Sequence, residues 1–469
     1  MSTLRAITAL LVLSGMGWCP AARAQSSAPQ PIFFRDACAA GERVTVAAVG
    51  DLLFHFNLQQ QALARDSSFA RLWQPVAPVL GRADIVYGNL EGPAARAVTP
   101  GGQEARLAPG ADDRAYDRRF YAGGEGGVLV FNFHPNAVAE VKAGGFDIVS
   151  TANNHAADRG PLGIDRTIDA LAAAGLAFTG TRRQHESALA RPWGTITRAK
   201  GFAVAWLACT FATNGMPDPH GQVLGCFGPH GEPGSAVLDE IRRLAADRDV
   251  DAVILTPHWG NEYQPYPDAS QRRLAHEAIE AGAAAVIGSH PHVLQPWERY
   301  AAPDGREGLI VYSSGNFISG QLRVEQRSGL ISLLEFTREA GGRARLTAAG
   351  YVPTWVEFAS PWRVVENTGP ASMAALVLTM HLLPPANRVQ PGLSGPLPKA
   401  CGLEMAAVAA SPGETPAIVP QSAGEGVATA APPPAPASVA HIAPALRARP
   451  KGHARAPTDS TVWAAGMTR

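Results

Sequence analysis

Five short apolar runs each stop at residues able to bind a metal, and this repetition constrains the fold more than any other feature. VTVAAVGD closes on Gly50-Asp51 and DIVYGNLE on Asn89 and Glu91. FDIVSTANNH closes on Asn153, Asn154 and His155, DAVILTPHWGNE on His258 and Glu262, and AAVIGSHPH on His290 and His292. A continuous apolar run is the pattern of a strand covered on both faces. In open α/β sheets, ligands bind beyond the carboxyl ends of such strands. The five runs therefore predict one shared site at one sheet edge.

Between the runs lie helical patterns. Residues 136–143 follow Pro135, a good helix opener. Residues 162–174 set Ile164, Ile168 and Leu171 on one face before Gly175. Ser235 is placed to cap a helix through residue 246, and Ser270 one through residue 281. Residues 195–210 read as a hairpin around Lys200-Gly201, and residues 309–318, 329–336 and 346–358 as further strands. Strands alternating with helices predict an α/β fold, and the hairpin makes its sheets mixed. Residues 93–130 lack clear periodicity and read as a long surface insertion beside Glu91.

The 469 residues suffice for one large α/β domain with tails. Lys+Arg and Asp+Glu are both 40, which argues against nucleic acid as a partner. Residues 1–24 read as a cleaved export signal, with Arg5, an apolar stretch over 7–18 and Ala22-Arg23-Ala24 before Gln25. Bulky Trp18 argues against lipidation of Cys19. The predicted location is therefore periplasmic or secreted. Residues 25–42 form a short leading segment, 43–405 the domain, and 406–469 an Ala/Pro-rich tail too poor in large apolar residues to build a core. Four cysteines remain after the signal, an even number that suggests two disulfides in an oxidising compartment. Of three pairings, Cys209–Cys226 closes a local loop and Cys38–Cys401 ties the domain ends together.

Asp51 and Glu91 offer hard oxygen ligands, Asn154 an amide oxygen, and His155, His258, His290 and His292 imidazoles. Mixed oxygen and nitrogen donors suit Zn, Mn or Fe. Two divalent ions would clamp a water and a phosphoryl or acyl oxygen. Alternate residues of His290-Pro-His292 can diverge to two metals. A polar cluster of His and Asn without metal is the competing reading.

The blocks GD at 50–51, GNLEGP at 88–93, TANNHAADRG at 151–160, HWGNEY at 258–263, GSHPHVLQP at 288–296 and SSGNF at 313–317 resemble, in order, the CapA family. That family is associated with poly-γ-glutamate capsule biosynthesis and is similar in fold to calcineurin-like metallophosphoesterases. The resemblance covers about residues 43–360. It implies a four-layer α/β/β/α sandwich of two mixed sheets flanked by helices. It also implies roles. Asp51 looks like a first-metal ligand and Glu91 like the bridging carboxylate. Asn154, His258 and His290 look like second-metal ligands, and His292 like a first-metal ligand. His155 looks like the catalytic acid. Asn89, Glu262 and Asn316 line the pocket, and Asp158 reads as a loop brace.

Three functions compete. The first is assembly, export or release of an anionic capsule polymer, with capsule-synthesis proteins as partners. The second is a metal-dependent envelope hydrolase cleaving a phosphoester or an amide. The third is a binding module that uses the same cleft without turnover.

Overall fold

The computed structural model describes residues 29–107, 115–124, 129–186, 192–340, 342–390 and 397–401. The chain divides into a compact unit through Ala407 and a second, Val408–Arg469, which lies outside the described residues. The predicted export signal and the whole of the predicted tail also lie outside them.

The strands are β1 (Glu42–Leu52), β2 (Ile85–Leu90), β3 (Ala122–Gly123), β4 (Phe131–Asn132), β5 (Ile148–Ser150), β6 (Ala177–Thr179), β7 (Thr195–Ala199), β8 (Phe202–Thr210), β9 (Ala252–His258), β10 (Ala285–Ile287), β11 (Trp297–Ala301), β12 (Glu307–Val311), β13 (Asn316–Ile318), β14 (Ser328–Arg338), β15 (Arg345–Glu357) and β16 (Arg363–Glu366). The helices are α1 (Phe56–Leu63), α2 (Ala77–Leu80), α3 (Asn136–Ala143), α4 (Gly160–Ala174), α5 (Ser235–Ala246), α6 (Ala269–Ala281) and α7 (Met373–Leu382). One sheet has the order β16-β15-β14-β1-β2-β5-β6, with β13 also pairing β1. The other has the order β11-β12-β10-β9-β8-β7. Both sheets are mixed: β1, β2, β5 and β6 run parallel while β14 pairs β1 antiparallel, and β7 opens the second sheet antiparallel to β8.

Side-chain alternation creates the layers, because successive residues of a strand face opposite sides. Val44, Val46 and Ala48 of β1 face Trp206 of β8, Ile254 of β9 and Ile287 of β10 in a core between the sheets. The alternate residues Ala47 and Val49 join Val138 of α3 and Ile164 of α4 in an outer core. Leu207 of β8 and Val253 of β9 point the other way, to Ile241 of α5 and Leu274 of α6. Three cores between four layers make this the α/β/β/α sandwich.

Several local expectations change. The predicted strand over 309–318 is two strands in different sheets: β12 ends at Val311 and β13 begins at Asn316 beside β1. Gly315, at φ 64°, turns the chain between them. The cap of α6 is Asp268 rather than Ser270. The Asp268 carboxylate accepts from Gln271 N at 2.9 Å, and Gln271 Oε1 accepts from Asp268 N at 3.0 Å. A carboxylate two residues before Ser270 reaches the third helical N–H, and Ser270 Oγ donates to it instead. The N-cap of α5 is Gly234, and Ser235 is already helical, so it makes no side-chain cap. Residues 93–130 are not only surface: Ala94, Ala95 and Val98 are buried, and Asn132 binds Ala95 and Phe120 through their backbones. Ahead of β1, Ile32 and Phe34 enter the inter-sheet core, and Asn387 receives Ile32 N at 2.9 Å.

Cys209 and Cys226 have Cα atoms 4.9 Å apart, and Cys38 and Cys401 5.6 Å, both at disulfide distance.

Candidate metal centre

The registry of the sheets brings the strand ends together. Asp51 lies abreast of Asn89 on β2 and of Asn316 on β13. That close approach requires Gly50, since a Cβ there would sit 1.8 Å from Gly315 O. From the second sheet, the end of β9 bridges His258 to Ser289, which opens the loop carrying His290 and His292. Both histidines hold positive φ, 99° and 57°. Non-glycine residues persist there only where surroundings fix them, a pattern that clusters at functional sites.

Asn89 Nδ2 donates to Asp51 Oδ1 at 2.8 Å and lies 3.2 Å from His258 Nδ1. Ser289 Oγ also meets that nitrogen, at 3.1 Å. His258 Nε2 stands 2.9 Å from Asn154 Oδ1, 3.1 Å from His290 Nδ1 and 3.5 Å from Glu91 Oε1. His292 Nδ1 lies 3.2 Å from Asp51 Oδ2 and 3.0 Å from Asn316 Oδ1, and its Nε2 is 3.6 Å from Glu91. The structure thus gathers Asp51, Asn89, Glu91, Asn154, His258, His290, His292 and Asn316 into one buried network. His155 sits at its edge, its Nδ1 2.8 Å from Asp158 Oδ2 and its ring 4.7 Å from that of Phe131. Asp158 Oδ2 also receives Phe131 N at 2.7 Å, so the residue read as a loop brace also orients His155. Glu262 is half-buried at the rim, near enough to add to the negative charge felt by Glu91 and His292.

Charge is poorly balanced here. Glu91 is fully buried, and neither of its carboxylate oxygens has a hydrogen-bond partner. Asn89 Oδ1 is also without one. An unpaired buried carboxylate costs several kcal/mol, roughly, unless a cation meets it. Burial and the Asp51 charge push the Glu91 carboxyl well above its ordinary range. Burial and the neighbouring imidazoles hold His258 well below, and the same causes bring His290 down to about 3. Neutral imidazoles are the form that binds metal. Burial also opposes a charge on His292, but the Glu91 and Asp51 carboxylates outweigh it and hold that ring up at about 10. The two carboxylates therefore demand a positive charge between them. Ligand atoms of Glu91, His290 and His292 lie within 4.8 Å of one another. Unpaired Glu91 oxygens, the neutral His258 and His290 rings and a His292 whose proton a cation would replace fit a divalent cation around one point.

Sequence reasoning missed Ser289, Phe211 and Tyr263. The Phe211 ring lies 4.5 Å from that of His290, and the Tyr263 ring 6.2 Å from that of His292. Tyr263 closes the block HWGNEY and Phe211 follows the end of β8, but neither aromatic carries a chemical signature of its own.

The bacterial capsule synthesis protein PGA_cap family model matches residues 45–321. The capsule biosynthesis protein CapA of Bacillus anthracis is 26% identical over 288 residues, 60% of this chain and 61% of that protein. The PGA biosynthesis protein CapA of Bacillus subtilis (strain 168) is 26% identical over 308 residues, 65% and 70%. The chain thus spans about three fifths of the length of the first of these relatives. Among solved structures, the NAD nucleotidase of Haemophilus influenzae has a TM-score of 0.39 at 12% identity, covering 73% of this chain and 64% of that one. A purple acid phosphatase from yellow lupin seeds has a TM-score of 0.30 at 10% identity, covering 66% and 53%. Those scores add nothing to the topology already described. The family match spans more than half of the sequence and takes in every strand end of the buried network, and on that ground the chain belongs to the bacterial capsule synthesis protein PGA_cap family.

Proposed function

We propose that the chain is an exported, metal-dependent hydrolase that acts on an anionic capsule polymer, poly-γ-glutamate or a similar material, during its assembly, export or release. The carrying observation is Glu91: a fully buried carboxylate with two unpartnered oxygens, faced by His258 and His292. A binding module without turnover has no need of such a group.

Asp51, Glu91, Asn154, His258, His290 and His292 would hold the ions, two in number, with Mn, Zn or Fe matching the mixed donors. When bound, they would supply positive charge and Lewis acidity at a carbonyl or phosphoryl centre. Asp158 accepts from His155 Nδ1 and so orients the ring, and in its imidazolium form Nε2 would give a proton to a leaving group. Asn89 fixes Asp51 and Asn316 fixes His292. The capsule names of the relatives and the export signal read in residues 1–24 support a substrate in the envelope. Bonds between Cys209 and Cys226 and between Cys38 and Cys401 accord with that oxidising location.

Elemental analysis of the purified protein, followed by incubation with poly-γ-glutamate and with a generic phosphoester, tests the reading. Bound divalent metal and chelator-sensitive shortening of the polymer are expected. A protein that carries no metal, or that leaves both compounds intact when loaded, would sink it.

A further inference from the structure

His258, His290 and His292 come from two loops, residues 258–264 after β9 and residues 289–295 after β10. Neither loop is relaxed. His290 and His292 hold positive φ, and so does Tyr263, at 64°. Non-glycine residues stay there only where their surroundings fix them. Where the loops leave their strands, the backbone stitches them together. Trp259 N donates to Ser289 O at 3.1 Å, and Ser289 N donates to Pro257 O at 3.0 Å. Further along, Tyr263 N donates to Pro291 O at 2.8 Å.

The far ends of the loops are joined by side chains instead. Gln271 of α6 and Gln295 are both buried. Gln271 Nε2 donates to Gln295 Oε1 at 3.0 Å, and Gln295 Nε2 donates to Gln264 O at 3.0 Å. At the other end of this ladder, Gln271 Oε1 accepts from Asp268 N at 3.0 Å. The backbone fixes its direction, because an N–H can only donate and a carbonyl can only accept. Each side chain must accept at one atom and donate at another. Glutamine does both, whereas an ionised glutamate cannot donate and an apolar residue does neither. Gly260 leaves the space that Gln271 fills, since a Cβ there would sit 2.5 Å from Gln271 Oε1. Gln295 N also donates to Ser313 O at 3.2 Å, which ties the same loop to the segment leading into Asn316.

Resting on the metal-dependent reading above, we infer that Gln271 and Gln295 are positioning residues of the metal centre: their amide ladder ties the His258 loop and the His290–His292 loop to the start of α6 and sets the spacing of the ligands those loops carry. The two glutamines act through the loop backbones rather than on the imidazoles. A pair that only filled space could be apolar, with no buried donors and acceptors to satisfy. Groups that orient metal ligands from behind carry about 10–100-fold in metal affinity.

The test is competition titration of the chelator-stripped full chain with Zn and with Mn against a chromophoric indicator, with the melting temperature in chelator recorded for each protein. Gln295→Met removes both of that residue's amide bonds and should weaken metal binding by roughly tenfold. Gln271→Met cuts the same ladder one step back and should act alike, so it decides the matter if Gln295→Met fails to fold. The double variant should bind little worse than either single one, because the ladder works as a unit. The control is Asn387→Leu, which removes a buried amide that bonds Ile32 and Ala349 rather than either loop. It should lower the melting temperature and leave metal affinity as in wild type. Glutamine variants that bind metal as tightly as wild type would overturn this inference and leave the metal reading standing. Equal weakening by Asn387→Leu would overturn it too, by showing that general loosening suffices. A wild type that takes up neither ion would overturn both.

Discussion

Glu91 decides the behaviour of the site because it is a fully buried carboxyl whose two oxygens accept no hydrogen bond. Its substitution should have opposite effects with and without metal. In chelator, Glu91→Gln should melt at or above wild type, since an amide is cheaper to bury than a carboxyl that must either carry a charge or take up a proton to lose it. With Mn or Zn added, wild type should gain stability by mass action while the variant gains little. Thermal melts of both proteins in both buffers check this; curves that never cross would show that Glu91 does not meet a cation. His155→Ala should differ in kind. Metal content should stay near that of wild type while turnover falls about 10²–10⁴-fold, as for loss of a general acid. Atomic absorption alongside polymer cleavage separates the two effects. The residues that gather here were legible in the sequence because each ends an apolar run, and strand ends in parallel sheets share an edge. The second role of Asp158 was not legible. A carboxylate three residues after a histidine says nothing until the turn that folds it back is known, and here that turn also delivers Asp158 to Phe131 N.

At the scale of elements, α6 offers two measurable contributions. Asp268→Ala should cost about 1 kcal/mol by removing one half of the capping box, read as a shift in denaturant midpoint. On the same helix His276 Nε2 stands 2.8 Å from Glu298 Oε1 of β11, while Tyr312 donates to Glu298 Oε2 at 2.7 Å. Burial works to raise the Glu298 pKa, but these hydrogen bonds outweigh it and hold the group below its ordinary 4.5. A depressed carboxylate contributes stability above its unfolded pKa and loses it as pH falls through the lower folded value. Glu298→Gln should therefore flatten the fall in stability below pH 4.5, with little change in that slope at neutral pH. Parallel melts from pH 3 to 7 would expose an unaltered slope. Helix spans were readable where an apolar face recurred, as in α4. The cap of α6 was misread because Asp268 and Ser270 are both good capping types, and only geometry chooses between them. The break between β12 and β13 was hidden for a related reason: an apolar run records burial, and both sheets bury their strands.

At the scale of the compact unit, the early and late parts of the sequence lie together. β1 pairs with β14, Ile32 with Asn387, and Cys38 lies beside Cys401 across 363 residues. Isolated apolar residues such as Ile32 and Phe34 have no periodicity, so the sequence alone left them outside the domain. In the loop-entropy picture a bond between Cys38 and Cys401 would constrain the unfolded chain and add up to about 6 kcal/mol for a loop of 363 residues. Cys38→Ala with Cys401→Ala should therefore lower the melting temperature in oxidising buffer and leave it unchanged under reductant. Equal melts in both conditions would mean that the bond does not form.

The crossing at Gly315 sets an order of events in the making of the protein. Asp51 is among the first site residues to be synthesised, yet its partner His292 follows 241 residues later and Asn316 later still. β1 also waits for β14 before its antiparallel edge is paired. A nascent chain halted anywhere before residue 316 holds carboxylates and imidazoles but no pocket. Any ion the site takes would then be set by the compartment in which the last strands dock, and not by the ions beside the ribosome unless folding finishes there.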